Sequence, residues 1–458
     1  MGSTFVSSDL IRARFARAMS DMFRTEVPAY GTLVDLVEKT NDAVLATDKV
    51  LAETLARTDG KTRISQERHG AIRLGKPEEL SMMRRAFAVM GMHPVGYYDL
   101  SVAGIPVHST AFRPLDHASL SANPFRVFCS LLRLDLIENE ELRAQAENAL
   151  SSREIFSLEA VGLIETAEDI GGLDEEQAER FVAEVLETFR WHNAARIDET
   201  LFERLLSAHR LIADVVSFKG PHINHLTPRT LDIDAVQAAM PKHGIDPKAV
   251  VEGPPARECP ILLRQTSFKA LTEAIRFPDG AGGWSNGRHT ARFGEIEARG
   301  AALTPKGRAL YDSLLDEVRR EIVPAPDGSN AADYMDRLDA VFAAFPDDWS
   351  EMRDEGLAYF YYYPTGEDGD ATSLETLVAS GAVGFAPVVY EDFLPVSAAG
   401  IFQSNLGDDR GTAFGENANQ ALFEQALGAP VGDPFKHYAA IEAGSIAAIK
   451  KRFGCTGD

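Results

Sequence analysis

Apolar positions recur at helical spacing at the start of the chain, with Leu10, Ile11, Phe15 and Met19 followed by Leu33, Val34, Leu36 and Val37. Residues 8–57 are therefore expected to be helical. The pattern then changes. Gln66 to Gly75 (Gln-Glu-Arg-His-Gly-Ala-Ile-Arg-Leu-Gly) is short and carries glycines, which predicts a strand. Pro77 opens a helix over Glu78–Met90, and Gly91 stands just past its end. Strands are expected over Val95–Val102, Pro106–Arg113 and Phe125–Ile137. The order is β-α-β-β-β.

From 138 to 212 the pattern is helical and charged, which reads as a helical insertion or lid. The first pattern then returns. An apolar run (Leu211, Ile212, Val215, Val216) leads into Phe218–Arg229, where the alternation of Ile223 and His225 predicts a short strand. On that strand His222 and Asn224 would face the other way. Asp232 caps a helix to about Met240, and strands are expected over Ala249–Gly253, Ile261–Leu271 and His289–Arg299. His69-Gly-Ala-Ile-Arg73 and His225-Leu-Thr-Pro-Arg229 share one spacing, so an internal duplication is expected. The fold class is α+β, with two paired βαβββ modules forming a half-open barrel. The expected boundaries are N-terminal helices 1–60, first module 61–137, helical insertion 138–212, second module 213–300 and a mixed C-terminal region 301–458.

Composition narrows the function. The chain has 458 residues, 45% hydrophobic and 25% charged, which suits a soluble globular protein with ample core. A net charge of −23 argues against nucleic-acid or anionic-membrane partners, which need a basic face. Cys129, Cys259 and Cys455 are far apart, so neither a disulfide framework nor a thiolate metal site is expected. No basic-then-apolar leader and no 18-residue apolar run is seen, and a cytoplasmic location is expected.

Alternation over His289–Arg299 puts Phe293, Glu295 and Glu297 on one face. If the two units pair, the mouth between them gathers His69, His225 and one of Glu295 or Glu297. Two imidazoles and a carboxylate that leave adjacent coordination positions open form the donor set used by Fe(II) for oxygen chemistry. A 2-oxo acid and O2 would fill those positions. Arg73 falls on the ligand's face of its strand, and its planar fork suits a carboxylate, although an ordinary ion pair is the competing role. Gln265 either donates to substrate or makes a core hydrogen bond. Glu297, where it is not the ligand, reads as a partner supporting one or as a structural ion pair, His222 as a satisfier of backbone groups and His108 as structural.

Several long runs carry a resemblance: Gln66-Glu-Arg-His-Gly-Ala-Ile-Arg73, Phe218-Lys-Gly-Pro-His-Ile-Asn-His225, Leu263-Arg-Gln-Thr-Ser-Phe-Lys269, His289-Thr-Ala-Arg-Phe-Gly-Glu-Ile-Glu-Ala-Arg-Gly300 and Pro395-Val-Ser-Ala-Ala-Gly400. The chain resembles the bacterial 2-oxoadipate dioxygenase/decarboxylase family, also called D-2-hydroxyglutarate synthases, of the vicinal oxygen chelate superfamily. The resemblance implies that His69, His225 and Glu295 hold Fe(II), that Arg73 binds a substrate carboxylate and that Val396 shapes the pocket. The last strand is also similar to the metal strand of hydroxyphenylpyruvate dioxygenases, which favours Glu295 over Glu297, although Ala298 stands where a glutamine would be. The implied reaction converts 2-oxoadipate and O2 to D-2-hydroxyglutarate and CO2 in lysine breakdown. The alternatives are a metal-dependent isomerase or lyase that does not use O2, and a metal-free module that binds a small anion.

Overall fold

The strand at the centre, β1 (Arg68–Leu74), is buried along its whole length, as a strand with neighbours on both sides must be. The computed structural model describes residues 5–57, 60–325, 327–367, 373–394 and 418–454. After β1 come the helix Pro77–Val89 and strands β2 (His93–Asp99), β3 (Val107–Arg113) and β4 (Arg126–Leu132). They form one mixed sheet with β5 (His225–Pro228), in the order β2-β3-β4-β1-β5. β4 runs parallel to β1, and β5 antiparallel to it, with His69 opposite Thr227 and Ala71 opposite His225.

The sheet continues past β5 by looser pairing. Thr230 donates its N–H to the Glu297 carbonyl at 2.7 Å, and Arg229 and Glu297 form a parallel bridge, which brings β9 (Glu295–Arg299) alongside β5. β6 (Leu263–Ser267) pairs antiparallel with β9, and Glu252 bridges to Gln265 on its far side. No closed barrel forms among the described residues. Between β6 and β9 the chain makes a hairpin, β7 (Thr272–Pro278) with β8 (Trp284–Thr290).

That hairpin corrects one expectation. The single strand expected over His289–Arg299 is two: His289 and Thr290 are the last residues of β8, and the chain breaks at 291–294 before β9. Arg292 leaves to bridge Glu26 and Glu273, and Gly294 passes so close to Phe268 that a Cβ would lie 2.2 Å from its ring. Ala249–Gly253 is likewise an isolated bridge rather than a strand, and 222–224 precede β5 rather than belonging to it. The expected helices at the N-terminus and over 138–212 are present, with Pro28 starting a new helix after the first. Asp232 does cap its helix, accepting from the Ala235 N–H. In the C-terminal region β10 (Phe360–Pro364) pairs antiparallel with β11 (Val383–Pro387). No helix among the described residues is long and apolar enough to cross a membrane.

Strand alternation divides the interior. Ile72, Val127 and Cys129 point into a core shared with the N-terminal helices through Phe15, Met19 and Phe23. Ala71 and Phe128 point the other way, into a core with Leu303, Phe360 and Tyr390 of the C-terminal region. His69 and Arg73 share the face of Ala71, so they lie between the sheet and the C-terminal region.

Gly70 is where β1 meets β5 most closely. A Cβ there would lie 2.6 Å from Ile223 Cδ1 and 3.3 Å from the His225 carbonyl oxygen. Ile223 is fully buried and has little room to yield. Gly70→Ala should therefore destabilise by about 1–3 kcal/mol through overpacking, although replacing a strand glycine ordinarily gains about 0.5–1 kcal/mol. A lower denaturation midpoint at unchanged slope is expected. An unchanged or higher midpoint would show that β1 and β5 can separate freely here.

Candidate metal centre

His69 on β1, His225 on β5 and Glu295 on β9 come from three neighbouring strands, and all three are buried. Their ligand atoms all lie within 4.8 Å of one another. His69 Nε2 is 3.1 Å and His225 Nε2 3.6 Å from the same oxygen, Glu295 Oε2. The convergence follows from register. His69 faces Thr227 across the ladder, His225 lies two residues from Thr227 on the same face, and the Thr227 hydroxyl donates to Glu295 Oε2 at 2.9 Å. Phe293 packs its ring 4.7 Å from that of His225, and Phe393 lies 4.9 Å from that of His69. The site is walled by apolar rings.

Glu297 shares the inner face of β9 with Glu295 and takes the other side of the same imidazole, with His69 Nδ1 2.9 Å from its Oε2. It is itself held by Arg299 at 2.7 Å and Arg126 at 3.3 Å. The charges continue outward: Arg126 also pairs with Glu67 and, at 2.8 Å, with Glu391, while Arg229 lies 3.0 Å from Glu67 and Arg63 pairs with Glu391. All seven of these side chains are buried.

This environment sets protonation. Burial alone would raise the carboxylates, but the neighbouring Arg299 and His69 hold Glu297 well below its ordinary range. His225, together with hydrogen bonds from His69 and Thr227, keeps Glu295 below its own. Burial pushes His225 down to about 4, so its imidazole is neutral. For His69 burial works downward too, yet the flanking Glu297 and Glu295 outweigh it and raise its pKa. Two carboxylates thus flank His69 and favour a proton there. A divalent cation at the Nε2 side would replace that proton with the charge the pair calls for. The donor set fits a metal that takes imidazole and carboxylate and retains open positions.

On β6, Gln265 Nε2 lies 3.4 Å from Glu295 Oε1, and Ser267 sits opposite Glu295 in the ladder. Gln265 Oε1, Ser267 Oγ and His225 Nδ1 are buried without a hydrogen-bond partner. Such atoms mark the place of a polar ligand or of water.

Arg73, two residues beyond Ala71 on the same face, donates from Nη1 to Asp214 Oδ2 at 2.7 Å. That carboxylate joins it to a buried group with His289 and His222. His222 therefore does not serve backbone groups as expected. It lies 3.3 Å from Asp214 Oδ1 and edge-on to Trp191. His108 is structural as expected, wedged between Tyr97 and Phe423. Val396 lies outside the described residues. Sequence reasoning passed over Asp214, Thr227 and Ser267. Thr227 and Ser267 stand two residues from His225 and Gln265, where alternation could have found them. Asp214 is a lone charge inside an apolar run, Leu211 to Val216, which was also a usable signal.

Comparison with known proteins gives one consistent result. Residues 15–405 match the family model of 2-oxoadipate dioxygenase/decarboxylase. The chain is 58% identical over 451 residues to the Pseudomonas putida protein of that name, covering 97% of both chains. It is 54% identical over 458 residues to the Escherichia coli one, covering 98% of this chain and 99% of that. Among solved structures it resembles the Pseudomonas putida hydroxyglutarate synthase in complex with 2-oxoadipate, with TM-score 0.91 and 55% identity over 98% of this chain and 99% of that one. The chain belongs to the 2-oxoadipate dioxygenase/decarboxylase family.

Proposed function

We propose that the protein is an Fe(II)-dependent enzyme that converts 2-oxoadipate and O2 to D-2-hydroxyglutarate and CO2. The observation that carries this is the buried trio His69, His225 and Glu295, converging within 4.8 Å in a chain of this family. The reaction balances with no external reductant, since 2-oxoadipate plus O2 has the atoms of 2-hydroxyglutarate plus CO2. When bound, the iron would supply Lewis acidity toward the 2-oxo acid and redox chemistry toward O2.

The chain's own residues do the rest. Glu297 Oε2 lies 2.9 Å from His69 Nδ1, a placement that favours the proton on Nδ1 and leaves Nε2 for the ion. Thr227 and Gln265 hold the Glu295 carboxylate from two sides. Phe293 and Phe393 keep bulk water from the reacting centre. Arg73 offers its guanidinium to a substrate carboxylate, Gln265 contacts the substrate, and Val396 shapes the pocket. This reading treats β1 to β4 and β5 to β9 as two paired βαβββ modules of the vicinal oxygen chelate kind, spanning 61–137 and 213–300. The order β2-β3-β4-β1 and the pairing of β9 with both β5 and β6 support it. Residues 1–60, 138–212 and 301–458 then close around the pair.

Replacing His69, His225 or Glu295 by Ala should abolish iron retention and turnover while thermal unfolding stays cooperative. Stoichiometric iron and full activity in Glu295→Ala would sink the assignment. Arg73→Lys keeps the charge and loses the fork, so kcat/KM should fall roughly tenfold to a hundredfold. Wild-type kinetics in both Arg73→Lys and Arg73→Ala would rule that role out. The reaction itself is tested by stoichiometry: one O2 taken up and one CO2 released per 2-oxoadipate, with no 2-oxoglutarate required. Consumption at an undiminished rate without O2 would overturn it in favour of a lyase or isomerase.

A further inference from the structure

Asp214 sits on the helix Arg210–Ser217 at the centre of a second buried cluster, separate from the metal trio. Its two oxygens are divided. Oδ2 accepts from Arg73 Nη1 at 2.7 Å, and Oδ1 accepts from His289 Nε2 at 2.7 Å, with His222 Nε2 3.3 Å away. Aromatic rings enclose the group: His289 lies 5.2 Å from Phe218, 5.7 Å from Phe202 and 6.4 Å from Trp191. Arg292 covers the outer face of Trp191 at 4.9 Å. Three elements thus meet on one carboxylate: the metal-bearing strand β1, the end of the hairpin at His289 and the inserted helix.

The cluster is costly unless it serves a geometric purpose. A buried Arg–Asp pair is often no more stable than an apolar substitute of the same volume. What it supplies here is direction. Arginine has several rotatable bonds, and burying it unbraced would leave the guanidinium in many positions. With Nη1 fixed on Asp214, and Asp214 fixed in turn by His289, the plane of the fork is set. β1 also sets a distance, because Arg73 is four residues from His69, about 13 Å along a strand. A ligand held at the trio by its 2-oxo acid head and at Arg73 by a distal carboxylate must fit the gap left between the side chains, which is set by where the Arg73 fork is held.

We propose that Asp214, braced by His289, is the positioning residue that holds Arg73 at the distance required by a six-carbon 2-oxo diacid, and so selects substrate chain length. This rests on Arg73 being the carboxylate grip proposed above. A guanidinium can bridge two carboxylates, one from the protein and one from the ligand, so Asp214 and substrate need not compete.

The test compares the iron-loaded wild type with Asp214→Asn on three substrates: 2-oxoadipate, the five-carbon diacid 2-oxoglutarate, and 2-oxohexanoate, which has no distal carboxylate. Asp214→Asn should raise KM for 2-oxoadipate about tenfold or more, with kcat changed much less and iron content unchanged. The preference for 2-oxoadipate over 2-oxoglutarate should shrink by a similar factor, and turnover of 2-oxohexanoate should stay as in the wild type. His289→Gln should move the same ratio in the same direction by a smaller factor, and it serves as the readout if Asp214→Asn does not fold. An equal loss on all three substrates, or an unchanged preference ratio, would overturn the proposal. Arg73→Ala separates the two levels. If it impairs 2-oxoadipate while Asp214→Asn and His289→Gln do not, only the positioning role falls. If Arg73→Ala is itself without effect, the reading of Arg73 as the grip falls first.

Discussion

Glu297 is a carboxylate with no exposure to water, and much of the structure answers to that one buried charge. Removing an ion from water costs several kcal/mol even after relaxation. Glu297 is compensated by Arg299 and Arg126 on one side and the His69 imidazole on the other. Those arginines need further carboxylates, so Glu67 and Glu391 follow, and with them Arg229 and Arg63. The network therefore pins β1, β4 and β9, the residue following β5, and the segment after β11 to one another. Arg126 is the member the others share, since it reaches Glu67, Glu297 and Glu391, and stripping a buried charge of its partner costs about 3–5 kcal/mol. The geometry of His69 is thus fixed by the same charges that hold the strands in register.

From that constraint the site follows. With Glu297 2.9 Å from its Nδ1, His69 turns Nε2 to the front, toward Glu295 and His225 on the adjacent strands. Glu295 and Glu297 lie two apart on one face of β9, yet their surroundings differ: Glu297 pairs with Arg299 and Arg126, and Glu295 is held by Thr227 and Gln265. The two polar groups of the interior are also distinct in character. The His69, His225 and Glu295 trio gathers ligand atoms within 4.8 Å of one another, whereas the Asp214 cluster is built around one carboxylate that accepts from Arg73 and His289.

Much of this was legible in the sequence. The shared His–Arg spacing at 69–73 and 225–229 pointed to corresponding strands, and the period of two over 293–297 put both glutamates on one face. The helices at 8–57 and 138–212 were readable because long amphipathic repeats give a strong signal. What escaped had specific causes. The β7–β8 hairpin is half exposed and polar, so it shows little apolar alternation, and its last two residues, His289 and Thr290, merged in the reading with β9. The break at 291–294 depends on Arg292 reaching Glu26, more than 260 residues away in sequence. Local patterns cannot report such a contact. His222 was misjudged because alternation was applied where the chain is not yet a strand. The arginine–glutamate network was invisible for a related reason: charged residues read as surface until a structure shows that they pair.

The central claim is that His69, His225 and Glu295 form an iron site at which 2-oxoadipate binds by its 2-oxo acid head. The most direct measurement is an anaerobic titration of the Fe(II)-loaded protein with 2-oxoadipate, followed in the visible spectrum. A saturable charge-transfer band typical of a bidentate 2-oxo acid chelate should grow in the wild type, bleach when O2 is admitted, and be absent from Glu295→Ala and His225→Ala. Iron and 2-oxoadipate both bound with no such band, or an undiminished band in Glu295→Ala, would contradict the claim.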